Sequence, residues 1–161
     1  MYQNAEKRVP LKINITDLEW ASAIHSLQRK SYQLEADLID FQEIPPLIES
    51  LEQLMNSKEV FFVLGSIREL KGMIAIEKDQ YNSVTISRLC VNPEFLRQGL
   101  ASDLIGYILK DYSDYPIVKV STGAANQPAI DFYQKAGFTI DRYEFLEKHR
   151  LKIVHLSFQS A

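Results

Sequence analysis

The sequence predicts an α/β protein, a mixed sheet covered by helices. Two observations predict it: period-two alternation of apolar residues in about seven segments with helical periodicity in about four, and their order β-α-α-β-β-β-α-β-α-β-β. No repeat, low-complexity tract or linker interrupts the 161 residues, so one domain over 1–161 is expected.

Residues 1–9 read as a loose polar start. Leu11, Ile13 and Ile15 alternate with Lys12 and Asn14 as a half-buried strand. Thr16-Asp17-Leu18-Glu19 has capping-box spacing and opens a helix to about residue 30. Segment 31–44 fits either helix or structured loop. Pro45-Pro46 start a helix to about residue 57, with Leu47, Ile48, Leu51, Leu54 and Met55 inward. Segments 60–67 and 71–77 read as a hairpin, and 83–91 as the next strand. A helix follows with Leu100, Leu104, Ile105, Ile108 and Leu109 on one face. Strand 117–121, helix 127–136 and strands 138–145 and 151–158 complete the chain.

Composition narrows the class. A hydrophobic content of 46% suffices for a real core, and a net charge of −3 without a Lys/Arg cluster argues against a nucleic-acid partner. One cysteine forms no internal disulfide, which suits a reducing cytoplasm. No apolar run is long enough for a membrane span, and the first residues lack the apolar stretch of a signal peptide. The expectation is a soluble cytoplasmic protein with neither membrane nor nucleic-acid partner.

The most informative stretch joins the strand over 83–91 to the following helix. Strand, basic loop with one glycine, and helix start together aim several backbone N–H groups at one point. Gly99 lets a phosphate approach the backbone, and Arg97 adds a fixed positive charge. The chemistry implied is diphosphate binding. G-x-x-x-x-G-K-[ST] and G-x-G-x-x-G are both absent, which sets aside P-loop NTPases and a dinucleotide Rossmann site.

Leu96-Arg97-Gln98-Gly99-Leu100-Ala101, entered from Leu89-Cys90-Val91-Asn92-Pro93, resembles motif A of the GCN5-related N-acetyltransferases, the GNAT superfamily. That motif has [RQ]-x-x-G-x-[GA], so Leu96 departs from it by removing a polar side chain and leaves the backbone amides in place. A second segment, Asn126 to Phe138, resembles the family's N-x-x-A-x-x-F-Y-x-K-x-G-F pattern. Read physically, Asn126 caps a helix, Pro128 sits in its first turn and Gly137 ends it. The two motifs stand in the family's order, with one strand between them. The resemblance covers about residues 60–138 well and the remainder by pattern.

The resemblance implies a GNAT-like mixed, mostly antiparallel sheet of about seven strands flanked by about four helices. It implies acetyl-CoA as co-substrate, its pyrophosphate over Arg97, Gln98, Gly99, Leu100, Ala101 and Ser102. The strands either side of the motif A helix would splay, letting the pantetheine arm pair with the backbone of Leu89, Cys90 and Val91. Asn126 would contact the pantetheine, and Tyr133 would act as general acid toward the departing sulfur. Some N-terminal-alanine acetylases of the superfamily carry a Glu five residues before the motif Asn. Ser121 stands there instead, and Ser121 is no base.

The residues do not single out a general base; Glu77, Glu35, Glu43 and His25 are the substitutes, and a water chain is the alternative. Cys90 as an acyl-carrying nucleophile lacks a neighbouring His or Asp in sequence, so inert packing is the expectation. His25, His149 and His155 have no metal-ligand spacing, so no metal is expected. From Ser31 to Ser57 six acids (Glu35, Asp37, Asp40, Glu43, Glu49, Glu52) occur with no Lys or Arg. They form either a negative wall that attracts a cationic amine or a solvated face. Tyr32, Phe41 and Ile44-Pro45-Pro46-Leu47 are candidates for the apolar part of such a pocket.

The expected function is acetyl-CoA-dependent transfer to a primary amine of a small molecule or peptide. A catalytically silent acyl-CoA-binding regulatory module, and an acyltransferase with another acyl group or acceptor, stay open, as does a homodimer.

Overall fold

A computed structural model of the protein describes residues 8–160. The expectation for residues 1–7 lies outside the described residues. The chain runs β1 (Leu11–Ile13), α1 (Leu18–Ile39), α2 (Pro45–Ile48), α3 (Leu51–Met55), β2 (Val60–Gly65), β3 (Leu70–Lys78), β4 (Ser83–Val91), α4 (Leu100–Asp111), β5 (Ile117–Gly123), α5 (Gln127–Lys135), β6 (Thr139–Leu146) and β7 (Leu151–Gln159). A 3-10 turn at Pro93–Phe95 precedes α4. The strands form one seven-stranded sheet of order β1-β2-β3-β4-β5-β7-β6. Every pairing is antiparallel except β4 with β5, which α4 joins as a crossover. The mixed, mostly antiparallel sheet is as expected, with five α-helices among the described residues.

Alternation along the strands feeds two cores. Phe62, Ile74, Ile76, Val84, Ile86, Val118 and Val120 face α4 and α5, meeting Leu104, Ile108 and Ile130. Phe61, Val63, Met73, Ala75 and Cys90 point the other way, onto Ala21, Ile24, Leu27 and Tyr32 of α1 and Leu54 of α3. Strands β2 and β3 are therefore buried on both faces over most of their length, as strands sandwiched by helices are, whereas β6 is largely exposed.

Three boundaries differ from expectation. Helix α1 is capped by Asp17, whose carboxylate accepts the Glu19 and Trp20 amides at 2.9 and 3.2 Å. It continues through the ambiguous segment to Ile39, because Tyr32 and Ala36 extend its buried stripe. The helix expected over 45–57 is two short ones: Ser50 adopts an extended conformation and restarts the chain with a capping box to Gln53.

A buried ion cluster ties these helices to the sheet. Arg88, 7% exposed, donates to both Glu49 and Glu59 and, at 2.7 Å, to the Gln28 side-chain oxygen. Its hydrogen bonds to the two carboxylates hold it charged despite burial.

Candidate active site

The sheet opens between β4 and β5. Their pairing runs from Ser83↔Ile117 to Ile86↔Val120 and stops, although β4 continues to Val91 and β5 to Gly123. A bulge sits at the point of divergence: Ala75 pairs with Arg88 and Ile76 with Ile86, leaving Ser87 unmatched. Such an extra residue bends its strand. Strand β5 stays zipped to β7 as far as Gly123↔Ile153 and β4 to β3 as far as Val91↔Gly72, so the sheet parts between the two.

Main-chain alternation decides what lines the gap. The Asn92 N–H donates to Lys71 C=O at 2.8 Å, which sets the ladder phase with β3. Cys90 therefore turns its main chain toward β3, while Leu89 and Val91 present theirs to the gap. Of the three residues expected to offer backbone there, Cys90 does not. Its side chain is buried against α1, and burial pushes its thiol up to about 12. Such a thiol is no nucleophile at neutral pH. The Leu89 N–H donates to the Tyr32 hydroxyl at 3.2 Å.

The loop from β4 to α4 is held at its base by Asn92, whose side chain accepts the Glu94 amide at 3.1 Å and donates to Leu70 C=O at 3.1 Å. Arg97 and Gly99 both adopt left-handed backbone, φ 64° and 77°. Gly99 is the N-cap residue of α4, and no side chain among the described residues caps that end. The first-turn donors of Leu100, Ala101 and Ser102 are thus left for an anion. The Leu100 side chain is buried in the core, so Leu100 contributes only its amide, whereas Arg97 and Gln98 are exposed. Arg8 is a second cation here that the sequence reading missed. Its Nε lies 2.6 Å from the Asp103 carboxylate, and its guanidinium donates to Gln98 C=O.

Where the strands part, α1 and α5 bring polar groups together. Asn126 caps α5 by accepting the Ala129 amide at 3.2 Å. Its Nδ2 donates to Glu35 Oε1 and to Thr122 Oγ1, both at 3.4 Å, and Thr122 Oγ1 donates to Glu35 Oε1 at 3.2 Å. Tyr133 is 6% exposed, packed between Phe132 and Phe138 at 5.4 and 5.5 Å. Burial, then the nearby Glu35 and Cys90, push its phenol upward. Burial likewise raises Glu35, against the hydrogen bonds from Asn126 and Thr122 that favour the carboxylate. Gly137, φ 103°, ends α5, and the Phe138 N–H returns to Tyr133 C=O at 3.0 Å, fixing the Tyr133 backbone.

Of the four candidate bases, the structure brings only Glu35 to this cluster. Glu77 is exposed far along β3, beside Thr85. The His25 ring lies 3.0 Å from Glu49 C=O. Glu43 sits on the rim, 71% exposed and 4.0 Å from His149. The signal for Glu35 was the helical spacing from Tyr32, visible only once α1 is known to continue.

A cleft of about 660 Å³ leads outward from Glu35. Ile39, Phe41, Ile44, Leu146 and Ile153 give it apolar walls; Glu43, Lys148 and His149 stand at its mouth. Ser121 also lines it, and its hydroxyl lies 2.7 Å from His155 Nδ1, whose Nε2 is 3.1 Å from Glu144. Among the described residues no group of His, Cys, Asp and Glu could hold a metal ion, and no helix is long and apolar enough to cross a membrane.

Known proteins share this architecture. YqkA of Bacillus subtilis (strain 168), a UPF0157 protein, is 32% identical over 118 residues, 73% of this chain. The chain spans about a third (34%) of that relative's length. The ribosomal-protein-S18-alanine N-acetyltransferase from Escherichia coli superposes with a TM-score of 0.74 at 15% identity, covering 96% of this chain and 94% of that one. The PaiA N-acetyltransferase from Thermoplasma acidophilum, solved with coenzyme A, gives 0.70 at 18% identity, covering 94% and 98%. These two share the fold at low identity. The model of the acetyltransferase (GNAT) domain matches residues 30–157, from the middle of α1 to β7 and across the whole strand gap, and by that match the chain belongs to the GNAT family.

Proposed function

We propose that the protein transfers the acetyl group of acetyl-CoA directly to a primary amine. One observation carries the reading: a gap between β4 and β5 that holds a buried phenol, a carboxylate and inward-facing strand amides, with an uncapped helix start at one side. The residues fit acetyl-CoA. Two left-handed residues and the α4 start suit a diphosphate, and the Leu89 and Val91 main chain suits the amides of a pantetheine arm. The PaiA relative was solved with coenzyme A.

In this reading the thioester lies in the gap and the amine enters from the apolar cleft, so positioning supplies much of the rate. The amine lone pair forms the C–N bond, and the C–S bond breaks as the tetrahedral centre collapses. Tyr133 gives its hydroxyl proton to the leaving sulfur, which burial prepares by keeping the phenol protonated. Asn126 holds the start of α5, and with it Tyr133, against the gap.

The acceptor is an amine of a small molecule or peptide. The E. coli relative is named for the alanine of a ribosomal protein; Ser121 at the corresponding strand end speaks against carrying that acceptor over. Thiol release from acetyl-CoA, measured with an amine panel against an acetyl-CoA blank, tests the function. Release above the blank with any amine supports transfer. Binding of acetyl-CoA without release under any amine supports the silent binding module.

A further inference from the structure

We infer that Glu35 is the catalytic base, accepting the proton of the acceptor's ammonium at the inner end of the apolar cleft, and that the acceptor is an alkyl ammonium on an apolar body. The inference rests on the proposed transfer and adds the proton route and the acceptor class.

Glu35 lines the cleft beside Thr122 and Gly123, at the end of β5 beyond its pairing with β4. Its Oε1 accepts from both Thr122 and Asn126, at 3.2 and 3.4 Å, and both of these flank α5, which carries Tyr133. It lies close enough to Tyr133, Tyr32 and Cys90 for its charge to act on all three. None of these neighbours is a cation. The other carboxylate with a buried setting nearby, Glu49, is occupied by Arg88. Among the described residues no cation pairs with this carboxylate, which is held by two neutral donors and faces an apolar cleft, and an entering ammonium supplies a counterion. The walls of Ile39, Phe41, Ile44, Leu146 and Ile153 put apolar surface between Glu35 and the charged groups at the mouth, so an ammonium on an apolar body fits best.

The protons balance. A bound R–NH₃⁺ gives one proton to Glu35, and the freed lone pair attacks the thioester carbon. Sulfur gains a proton from Tyr133 as the C–S bond breaks, and the second proton that nitrogen loses after attack passes to the Tyr133 oxygen and restores its hydroxyl. The net product is an amide, a thiol and one proton, which Glu35 returns to water through the cleft. The raised carboxyl of Glu35 makes it a stronger base than an ordinary glutamate. The titratable groups facing it are Tyr32 on α1, Cys90 on β4 and Tyr133 on α5, with Glu43, Lys148 and His149 at the mouth.

Glu35→Gln keeps an oxygen for Thr122 and Asn126 and removes the basicity. The test uses the full chain, acetyl-CoA, and two probe amines: 2-phenylethylamine, which arrives protonated, and aniline, which arrives neutral. With 2-phenylethylamine, kcat should fall ~10²–10⁴-fold in Glu35→Gln. Its rate should then climb about tenfold per pH unit until the amine itself deprotonates, where wild type is flat. With aniline the two proteins should run at similar rates, and Glu35→Asp should recover part of the 2-phenylethylamine rate. Equal loss with both amines overturns the inference, and so does a wild-type pH profile in Glu35→Gln that disappears in His155→Gln, which moves the proton to the Ser121–His155 pair. Wild type that acetylates no amine fails the transfer reading itself, a result distinct from either. Acetyl-CoA affinity by calorimetry should match wild type in Glu35→Gln, which separates lost basicity from a disturbed fold.

Discussion

Glu35 lies near enough to Tyr133 for its charge to act on the phenol. Because burial, Glu35 and Cys90 all push the phenol up, Tyr133 stays protonated through the physiological range and is always loaded as an acid. Tyr133→Phe keeps the ring against Phe132 and Phe138 and should lower the single-turnover rate ~10²–10⁴-fold with acetyl-CoA affinity nearly unchanged. A full-speed chemical step in that variant removes the acid role. Glu35 yields a stability prediction of unusual sign. Its folded-state pKa is raised, so above the ordinary glutamate pKa the unfolded chain loses its proton first. Stability therefore falls as pH climbs from the unfolded toward the folded value, and the ionised group is a net cost at neutral pH. Glu35→Gln should raise Tm at pH 7 and leave it unchanged at pH 3, by thermal melts at both; a lower Tm at pH 7 contradicts the assignment. Tyr133 and Asn126 could be named from the sequence because one local motif holds both. Glu35 stood there only as one of four candidate bases, because its partners lie 87 and 91 residues away.

Elements were legible in type more than in extent. The strands and α4 and α5 read directly from their periods, whereas α1 runs past its expected end because residues 32 and 36 find a core no local pattern announces. The break at Ser50 likewise follows from Glu49 turning to Arg88, a pairing across 39 residues. That latch fastens the wall of the cleft to the bulged strand. Arg88→Met leaves Glu49 and Glu59 facing each other without a cation and should cost ~3–5 kcal/mol in urea unfolding. A loss below about 1 kcal/mol would mean that water reaches the pair and that its worth is that of an exposed bridge. At the start of α4, Gly99 at φ 77° has two reasons to be glycine, the left-handed backbone and the anion approach. Gly99→Glu should abolish acetyl-CoA binding by calorimetry, with Gly99→Ala separating backbone strain from the added charge.

At the scale of the molecule, the acidic stretch resolves into unlike parts. Glu49 is neutralised by Arg88, Asp37 accepts from Gln33 and Gln42, and Asp40 is the left-handed cap of α1. Only Glu35 and Glu43 line the cleft. A cationic acceptor should thus lose affinity in Glu43→Gln, with KM raised severalfold and that of acetyl-CoA unchanged, and Asp37→Asn and Asp40→Asn should match wild type. Added salt should shrink the Glu43 effect, since exposed charges are screened within ~8–10 Å. Equal acceptor KM in Glu43→Gln and wild type retires the steering idea. The sequence showed the charge count; which charges face the cleft is a property of the fold.

A sheet that parts in its middle acquires two inner borders, and an uncovered border is a template for a foreign strand. On the β4 border the Tyr32 hydroxyl covers the Leu89 N–H. That single phenol acts as a stopper: it occupies the donor that an intruding peptide would need, and it yields to a ligand that offers an acceptor of its own. With that donor covered, this stretch of the border offers an intruding strand one fewer group to pair with.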